Sequence, residues 1–232
     1  MSKFNAEQPT VALFDLDYTL ISSDCTAHWL RYMLTRSRYR KALILLLLPI
    51  IKLCEKSKVS LATRNSFYLW AATAFLGKQR YATFRQQAAN YIIQQKGVTA
   101  YQHAYEAIRW HRQQGHTIII VTGALRWLAR DMCKALNLEF DHLLGSSDQY
   151  FLGGRISKTF CYHANKVTLL ENGNHLNDDQ VRYGYSDSSA DIPMLALCQH
   201  RYLVNPKDKC FAKMQHAFGD DATMVSWHIE KV

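Results

Sequence analysis

The chain has no cysteine pair at C-x-x-C spacing and no Cys/His cluster at zinc-ligand spacing. Its six cysteines, Cys25, Cys54, Cys133, Cys161, Cys198 and Cys210, are scattered. That pattern argues against a zinc site or a disulfide framework, and for free thiols in a reducing compartment. A secretory leader is also missing: Met1–Gln8 is polar, and the apolar stretch Val11–Phe14 is too short to serve as one. The expected location is therefore the cytosol or the cytosolic face of the inner membrane. No internal repeat or low-complexity linker is visible. Disorder is excluded by composition, since 48% of the 232 residues are hydrophobic, enough to bury a core without staples. This length fits one domain, or a domain carrying a smaller insertion.

Acidic residues are nearly absent from one region. Between Arg31 and Arg64 stand Arg31, Arg36, Arg38, Arg40, Lys41, Lys52, Lys56, Lys58 and Arg64, against the single acid Glu55. The segment thus carries +8 of the chain's formal +9. Local charge of this size suggests a polyanionic partner, nucleic acid or anionic lipid. The basic stretch is interrupted by the apolar run Ala42–Ile51, which suits lipid better than a phosphate backbone, so no nucleic acid is expected. The run has ten residues, short of the roughly 17–25 needed to span a bilayer. It is apolar on every side, and Pro49 is expected to interrupt it as a helix. Ala42–Leu53 is accordingly expected either to dip into one leaflet of an anionic membrane or to be buried in a protein interface.

Four short apolar runs have the character of buried strands: Thr10–Phe14, Thr117–Val121, Val181–Tyr185 and Arg201–Val204. Helical patterns fall over Thr99–Gln114, Leu125–Leu136, Asn165–Glu171 and Asp191–Cys198. Alternation of this kind predicts an α/β fold, a Rossmann-like parallel sheet with helices on both faces. No buried strand is visible from about Ser23 to Lys96. Residues 23–96 are therefore expected to form an inserted helical cap on a discontinuous core of residues 1–22 and 97–232, with Gly97 as the return point. Tyr150–Thr159 is expected to be a hairpin, Gly153 and Gly154 supplying positive φ at its turn and the whole covering a sheet edge.

Ligands of such sheets bind beyond the carboxyl ends of the strands. Those ends hold Asp15 and Asp17, then Thr122, then Asp187. One carboxylate of the Asp15/Asp17 pair can attack phosphorus while the other protonates the leaving oxygen and later activates water. An anionic phosphomonoester meeting a carboxylate needs a cation, and Mg²⁺ suits that task. Thr122 and Gly123, at a strand end before a helix, can bind phosphate or simply cap the helix. Lys166 opposes the dipole of its helix start, which is unusual for a purely structural lysine. Asp191 lies about one helical turn beyond Asp187, on the same side.

These pieces, in this order, resemble the haloacid dehalogenase (HAD) superfamily of phosphatases. Its D-x-D-x-T motif is matched by Asp15, Asp17 and Thr19, its Ser/Thr by Thr122, and its Lys by Lys166. Its acidic G-D-S-x-x-D motif is matched at Tyr185-Ser186-Asp187 through Asp191. The resemblance implies that Asp15 is the nucleophile and Asp17 the general acid/base. It implies Mg²⁺ held by Asp15, the main-chain carbonyl of Asp17, and Asp187, with Thr122 and Lys166 on the phosphoryl group and Asp191 supporting Lys166 or metal-bound water. The helical insertion is similar to that of the phosphoserine-phosphatase-like branch. There a substrate-binding Glu stands where this chain has Asp24, which weakens the case for phosphoserine itself, and Asn where Ala190 is; many members of the superfamily have Gly where Tyr18 is. Within the branch the chain is similar to the bacterial phosphatidylglycerophosphatases. The shared features are the Leu-rich run ending in Pro-Ile-Ile (Leu45–Ile51), Gly-Tyr-Ser-Asp-Ser (Gly184–Ser188) and Cys-Gln-His-Arg (Cys198–Arg201). That likeness implies a lipid phosphomonoester such as phosphatidylglycerophosphate. A soluble phosphatase for phosphoserine or histidinol phosphate is the alternative, and an inactive membrane-binding protein a third.

Overall fold

The computed structural model describes residues 8–229. The polar N-terminal stretch weighed above as a leader lies, apart from Gln8, outside the described residues. Seven strands form one sheet in the order β4-β3-β2-β1-β5-β6-β7. They are β1 (Thr10–Phe14), β2 (Thr117–Leu125), β3 (His142–Phe151), β4 (Gly154–Thr159), β5 (Val181–Ser186), β6 (His200–Val204) and β7 (Ala222–Val225). All neighbours run parallel except β3 and β4, which are antiparallel. The α/β expectation therefore holds. β1 is buried along nearly its whole length because it lies mid-sheet, covered on both faces, which is why it is a continuous apolar run. From β1 the chain builds outward through β2 and β3, then returns to add β5 on the other side. The gap beyond β1 and β5 is thus the topological switch point, where such sheets open a crevice.

Four helices lie between β1 and α5 (Gln102–Gln113): α1 (Cys25–Thr35), α2 (Arg38–Lys56), α3 (Leu61–Thr73) and α4 (Lys78–Lys96). Gly97 ends α4 in the left-handed conformation, φ 62°, which glycine adopts without a Cβ clash. The chains entering and leaving this insertion run side by side: Ser22 N donates to Thr99 O, and Tyr101 N to Leu20 O. The insertion shares the main apolar core, since Trp29, Tyr32, Met33 and Ile92 pack in one cluster with Leu128 and Met132. Leu128 and Met132 belong to α6 (Arg126–Ala135).

Several expectations need correction. Pro49 does not break α2, which runs on for 19 residues. Pro49 is on the exposed side of the helix, so its ring and the carbonyl it leaves without an N–H partner face away from neighbouring helices. Nor is the apolar run uniform in environment. Ile44 and Ile51 are buried against α3, while Leu45, Leu46, Ile50 and Leu53 are exposed. Arg40 is buried too, donating to Met33 O and Ala72 O, and so is withdrawn from the basic surface.

The hairpin turn is Leu152-Gly153, with φ of 41° and 80°. Gly154 begins β4 instead, and is glycine for space, because a Cβ there would sit 2.8 Å from Trp70 Cδ1. The hairpin also does more than cover an edge. Ser66 and Thr73, two turns apart on α3, accept from Ser157 N and Arg155 N of the edge strand. The helix pattern at Asp191–Cys198 shortens to a 3₁₀ turn (Ser189–Asp191) followed by α8 (Ile192–Leu195). All six cysteines are free, and among the described residues no helix is long and apolar enough to cross a membrane.

Candidate active site

Parallel pairing places the key residues. Phe14 registers with Tyr185, and Asp15 N donates to Tyr185 O at 3.0 Å, so Asp15 and Asp187 leave adjacent strands at the switch point. The Thr19 hydroxyl ties them together, lying 3.3 Å from Asp15 Oδ2 and 3.4 Å from Asp187 Oδ1, while accepting from Asp187 N at 3.0 Å. Its single proton serves one carboxylate at a time.

Lys166 enters from α7 (Ala164–Asn172) and is 2% exposed. Its Nζ donates to Asp15 Oδ1 and Asp191 Oδ2, each at 2.7 Å. Burial alone would drive the ammonium to lose its proton, but the two carboxylates outweigh it and hold the pKa above the ordinary lysine value. Asp191 is oriented in turn by the Ser186 hydroxyl, which donates to Oδ2 at 2.7 Å.

Asp17 points elsewhere. Its Oδ1 accepts from Cys25 N at the start of α1, 3.0 Å away, so the insertion itself orients this carboxyl. Burial, then the charge of Asp24, raises its pKa well above the usual carboxylate range. Burial also lifts Asp15 to about 6, against the pull of Lys166. Asp187 rises to about 7 through burial and then the charges of Asp15 and Asp191. A single ammonium among these carboxyls leaves the crevice short of positive charge, an environment that a divalent cation relieves. Among the described residues no three His, Cys, Asp or Glu side chains gather as a self-sufficient metal cage. Asp15 and Asp187 leave adjacent strand ends, and Mg²⁺ commonly takes one or two carboxylates and completes its shell with water and phosphate oxygens.

Thr122 is buried at the bend of β2, and its Oγ1 accepts from Ala124 N at 3.0 Å. The hydroxyl proton remains available to a ligand. Beside it Gly123 O accepts from the Ser146 hydroxyl, which also receives Cys161 N. Asp15, Asp17, Thr122, Gly123, Lys166, Asp187 and Asp191 all line one cavity of about 420 Å³. Every site residue expected from the sequence is therefore brought to a single crevice, together with Tyr18 and Ala190.

The remaining walls were not legible beforehand. Leu30, Leu61, Asn65 and Leu69 come from the insertion, and Ser157, Phe160 and Tyr162 from the hairpin and the loop after it. No motif marks them, because they come from α1, α3, β4 and the loop after it and meet at the cavity only in the folded chain. Ser186, named only as part of the acidic motif, orients Asp191, a contact that no spacing in the sequence marks.

A family model described as haloacid dehalogenase-like hydrolase matches residues 12–196. The chain is 26% identical over 214 residues to a protein of Neisseria meningitidis serogroup C (strain 8013) named histidinol-phosphatase, covering 84% of this chain and 90% of that one. A solved protein of unknown function from Bordetella pertussis Tohama I has a TM-score of 0.74 at 21% identity, over 94% of this chain and 98% of that one. A substrate-bound phosphoserine phosphatase gives 0.57 at 15% identity, over 89% and 91%. At such identities the two solved structures speak to the fold.

Proposed function

The chain belongs to the haloacid dehalogenase-like hydrolases, and on that premise we propose that it is a Mg²⁺-dependent phosphomonoesterase working through an aspartyl-phosphate on Asp15. The observation that carries this reading is the buried Lys166 ammonium, 2.7 Å from both Asp15 and Asp191. It steadies the attacking carboxylate and places positive charge where phosphoryl oxygens would gather.

A carboxylate oxygen of Asp15 attacks phosphorus and the P–O bond to the leaving group breaks. Asp17, whose pKa burial and then the charge of Asp24 raise above the usual carboxylate range, gives its proton to the departing oxygen. Now ionised, Asp17 takes a proton from water, whose oxygen attacks the phosphorus. The bond to Asp15 breaks, inorganic phosphate leaves, and both carboxyls return to their starting state. Thr122 Oγ1 and the Gly123 N–H hold phosphoryl oxygens, and Asp191 keeps Lys166 in place. Asp15, Asp187 and the main-chain carbonyl of Asp17 would hold Mg²⁺, which offsets the repulsion between substrate and nucleophile. In this reading residues 23–96 act as a cap over a core formed by residues 1–22 and 97–232. Its first helix restrains Asp17 through Cys25 N.

Two substrate classes have support. The apolar wall of Leu30, Leu61, Leu69, Leu125 and Phe160 favours a lipid phosphomonoester such as phosphatidylglycerophosphate. The Neisseria relative's name, and the Asp24 carboxylate in the cavity, favour a small amine-bearing metabolite such as histidinol phosphate or phosphoserine. Phosphate release should be measured from phosphatidylglycerophosphate in mixed micelles and from both metabolites, with Mg²⁺ and with EDTA. Mg²⁺-dependent release from one class selects it; no release from any of them defeats the phosphatase reading.

A further inference from the structure

One helix turns spare apolar surface outward. Along α2, Leu45, Leu46, Ile50 and Leu53 fall at helical spacing on the face opposite Ile44 and Ile51. They are 59%, 72%, 47% and 64% exposed. The stripe does not end with the helix. At its N-terminal end Tyr39 lies 6.3 Å, ring to ring, from Phe75, and its hydroxyl donates to Ala74 O. Phe75 N donates to Gly153 O at the hairpin turn, whose Leu152 carbonyl receives Trp70 Nε1. Phe75 and Leu152 are each 72% exposed. Both hold positive φ, 54° and 41°, a conformation that costs a bulky side chain energy and is held here by the hydrogen bond from Phe75 N to Gly153 O.

We propose that α2, the α3–α4 turn at Phe75 and the hairpin tip at Leu152 form one docking face for an anionic lipid surface. Charge selects this occupant. Arg38 and Lys41 precede Leu45, Lys52 stands beside Leu53, and Lys56 and Lys58 follow it, all exposed. Glu55, the only acid among residues 31–64, is paired with Arg64. An apolar strip bordered by lysine and arginine matches the acyl and head-group layers of an anionic leaflet. A second copy docked on the same face would set two such basic segments against each other. α3 stands between this face and the catalytic cavity: Phe67 and Trp70 pack toward α2, whereas Leu61, Asn65 and Leu69 line the cavity. A lipid surface on the outer side of α2 would thus be separated from the site by α2 and α3. The proposal does not depend on which phosphomonoester is hydrolysed.

The test is flotation of the full chain with vesicles of phosphatidylcholine containing about a third phosphatidylglycerol, an anionic surface that attracts basic segments, beside pure phosphatidylcholine. Wild type should float with the anionic vesicles, less at high salt, and little with the neutral ones. Leu46→Glu with Leu53→Glu should lower the bound fraction about tenfold or more. Phe75→Asn with Leu152→Asn, which suits positive φ, should weaken binding as well, and this second pair separates the composite face from α2 alone. Both pairs should keep wild-type Mg²⁺-dependent hydrolysis of p-nitrophenyl phosphate, so that failure to bind is distinguishable from failure of the catalytic reading. The proposal is overturned if wild type stays in the dense fraction with anionic vesicles, or if the α2 pair floats like wild type. It also fails if sedimentation velocity shows a dimer that the α2 pair dissociates, since the face would then belong to a second copy.

Discussion

Replacing Lys166 with Met tests the centre of the proposed site. The side chain is buried, and its two hydrogen bonds of 2.7 Å to Asp15 and Asp191 are its only partners in the described structure. Met preserves the stem and removes the charge, leaving two carboxyls in a crevice where burial already lifts Asp15 to about 6. Breaking a buried ion pair by removing one partner costs about 3–5 kcal/mol, and that is the expected loss in urea denaturation at neutral pH in EDTA. Without the ammonium, Asp15 should rise further. A carboxyl whose folded pKa exceeds its unfolded value binds more protons folded than unfolded, so the variant should regain stability as pH falls from 7 toward 5. Adding Asp191→Asn removes one uncompensated charge while keeping an acceptor for Ser186. The double variant should recover part of the loss, with a coupling of about 1–3 kcal/mol. Its kcat should nevertheless stay ~10²–10³-fold below wild type, because the charge aimed at the phosphoryl group is still missing. If Lys166→Met unfolds within 1 kcal/mol of wild type, or the two changes simply add, the ion-pair argument is refuted.

Asp15→Asn should abolish turnover while the chain still folds, and retention of more than a few per cent of activity removes the nucleophile assignment. Asp17→Asn should slow turnover at least ~10²-fold, the usual scale for loss of a general acid/base; a small effect would show that another group moves the proton. Asp187→Ala should shift the Mg²⁺ titration to much higher concentration or eliminate turnover, and an unchanged titration takes Asp187 out of the metal site. His111, buried among aromatic rings with Nδ1 2.8 Å from His116 Nδ1 and Nε2 3.1 Å from the Tyr185 hydroxyl, is pushed down to about 3 by burial and then by His116. Its folded pKa lies below the unfolded value, so stability is full above about 6.5 and falls as pH drops toward 3, by about 2 kcal/mol at pH 5. His111→Gln should flatten that acid slope in urea titrations at pH 5 and 7.5, and an identical slope in the variant would exonerate His111.

The frame of the proposed site was legible because its signals are local. A strand buried on both faces must be an uninterrupted apolar run, so Thr10–Phe14 and Thr117–Val121 announce themselves, and the polar residues that end them mark the crevice. Asp15, Asp17, Thr122 and Asp187 all follow from that. Of β3 only the end, Tyr150–Phe151, was read, as part of the hairpin, because the strand has two environments along its length. His142–Ser146 pairs with β2 in the core sheet, while Tyr150 and Phe151 stand exposed in the hairpin, so neither a buried nor an alternating pattern is sustained.

By itself the sequence determined the α/β order, the helical insertion and the residue types at each strand end. Only the tertiary structure decided that Lys166 is a buried ion-pair partner, because Asp15 and Asp191 stand 151 and 25 residues away along the chain. The same holds for the run Ala42–Ile51. Ten apolar residues look alike in every direction until a neighbour covers one face. α3 buries Ile44 and Ile51, leaves Leu45 and Leu46 outside, and brings Phe75 and Leu152 beside the stripe. Which apolar surface is left over depends on contacts between distant segments, and no local pattern records it.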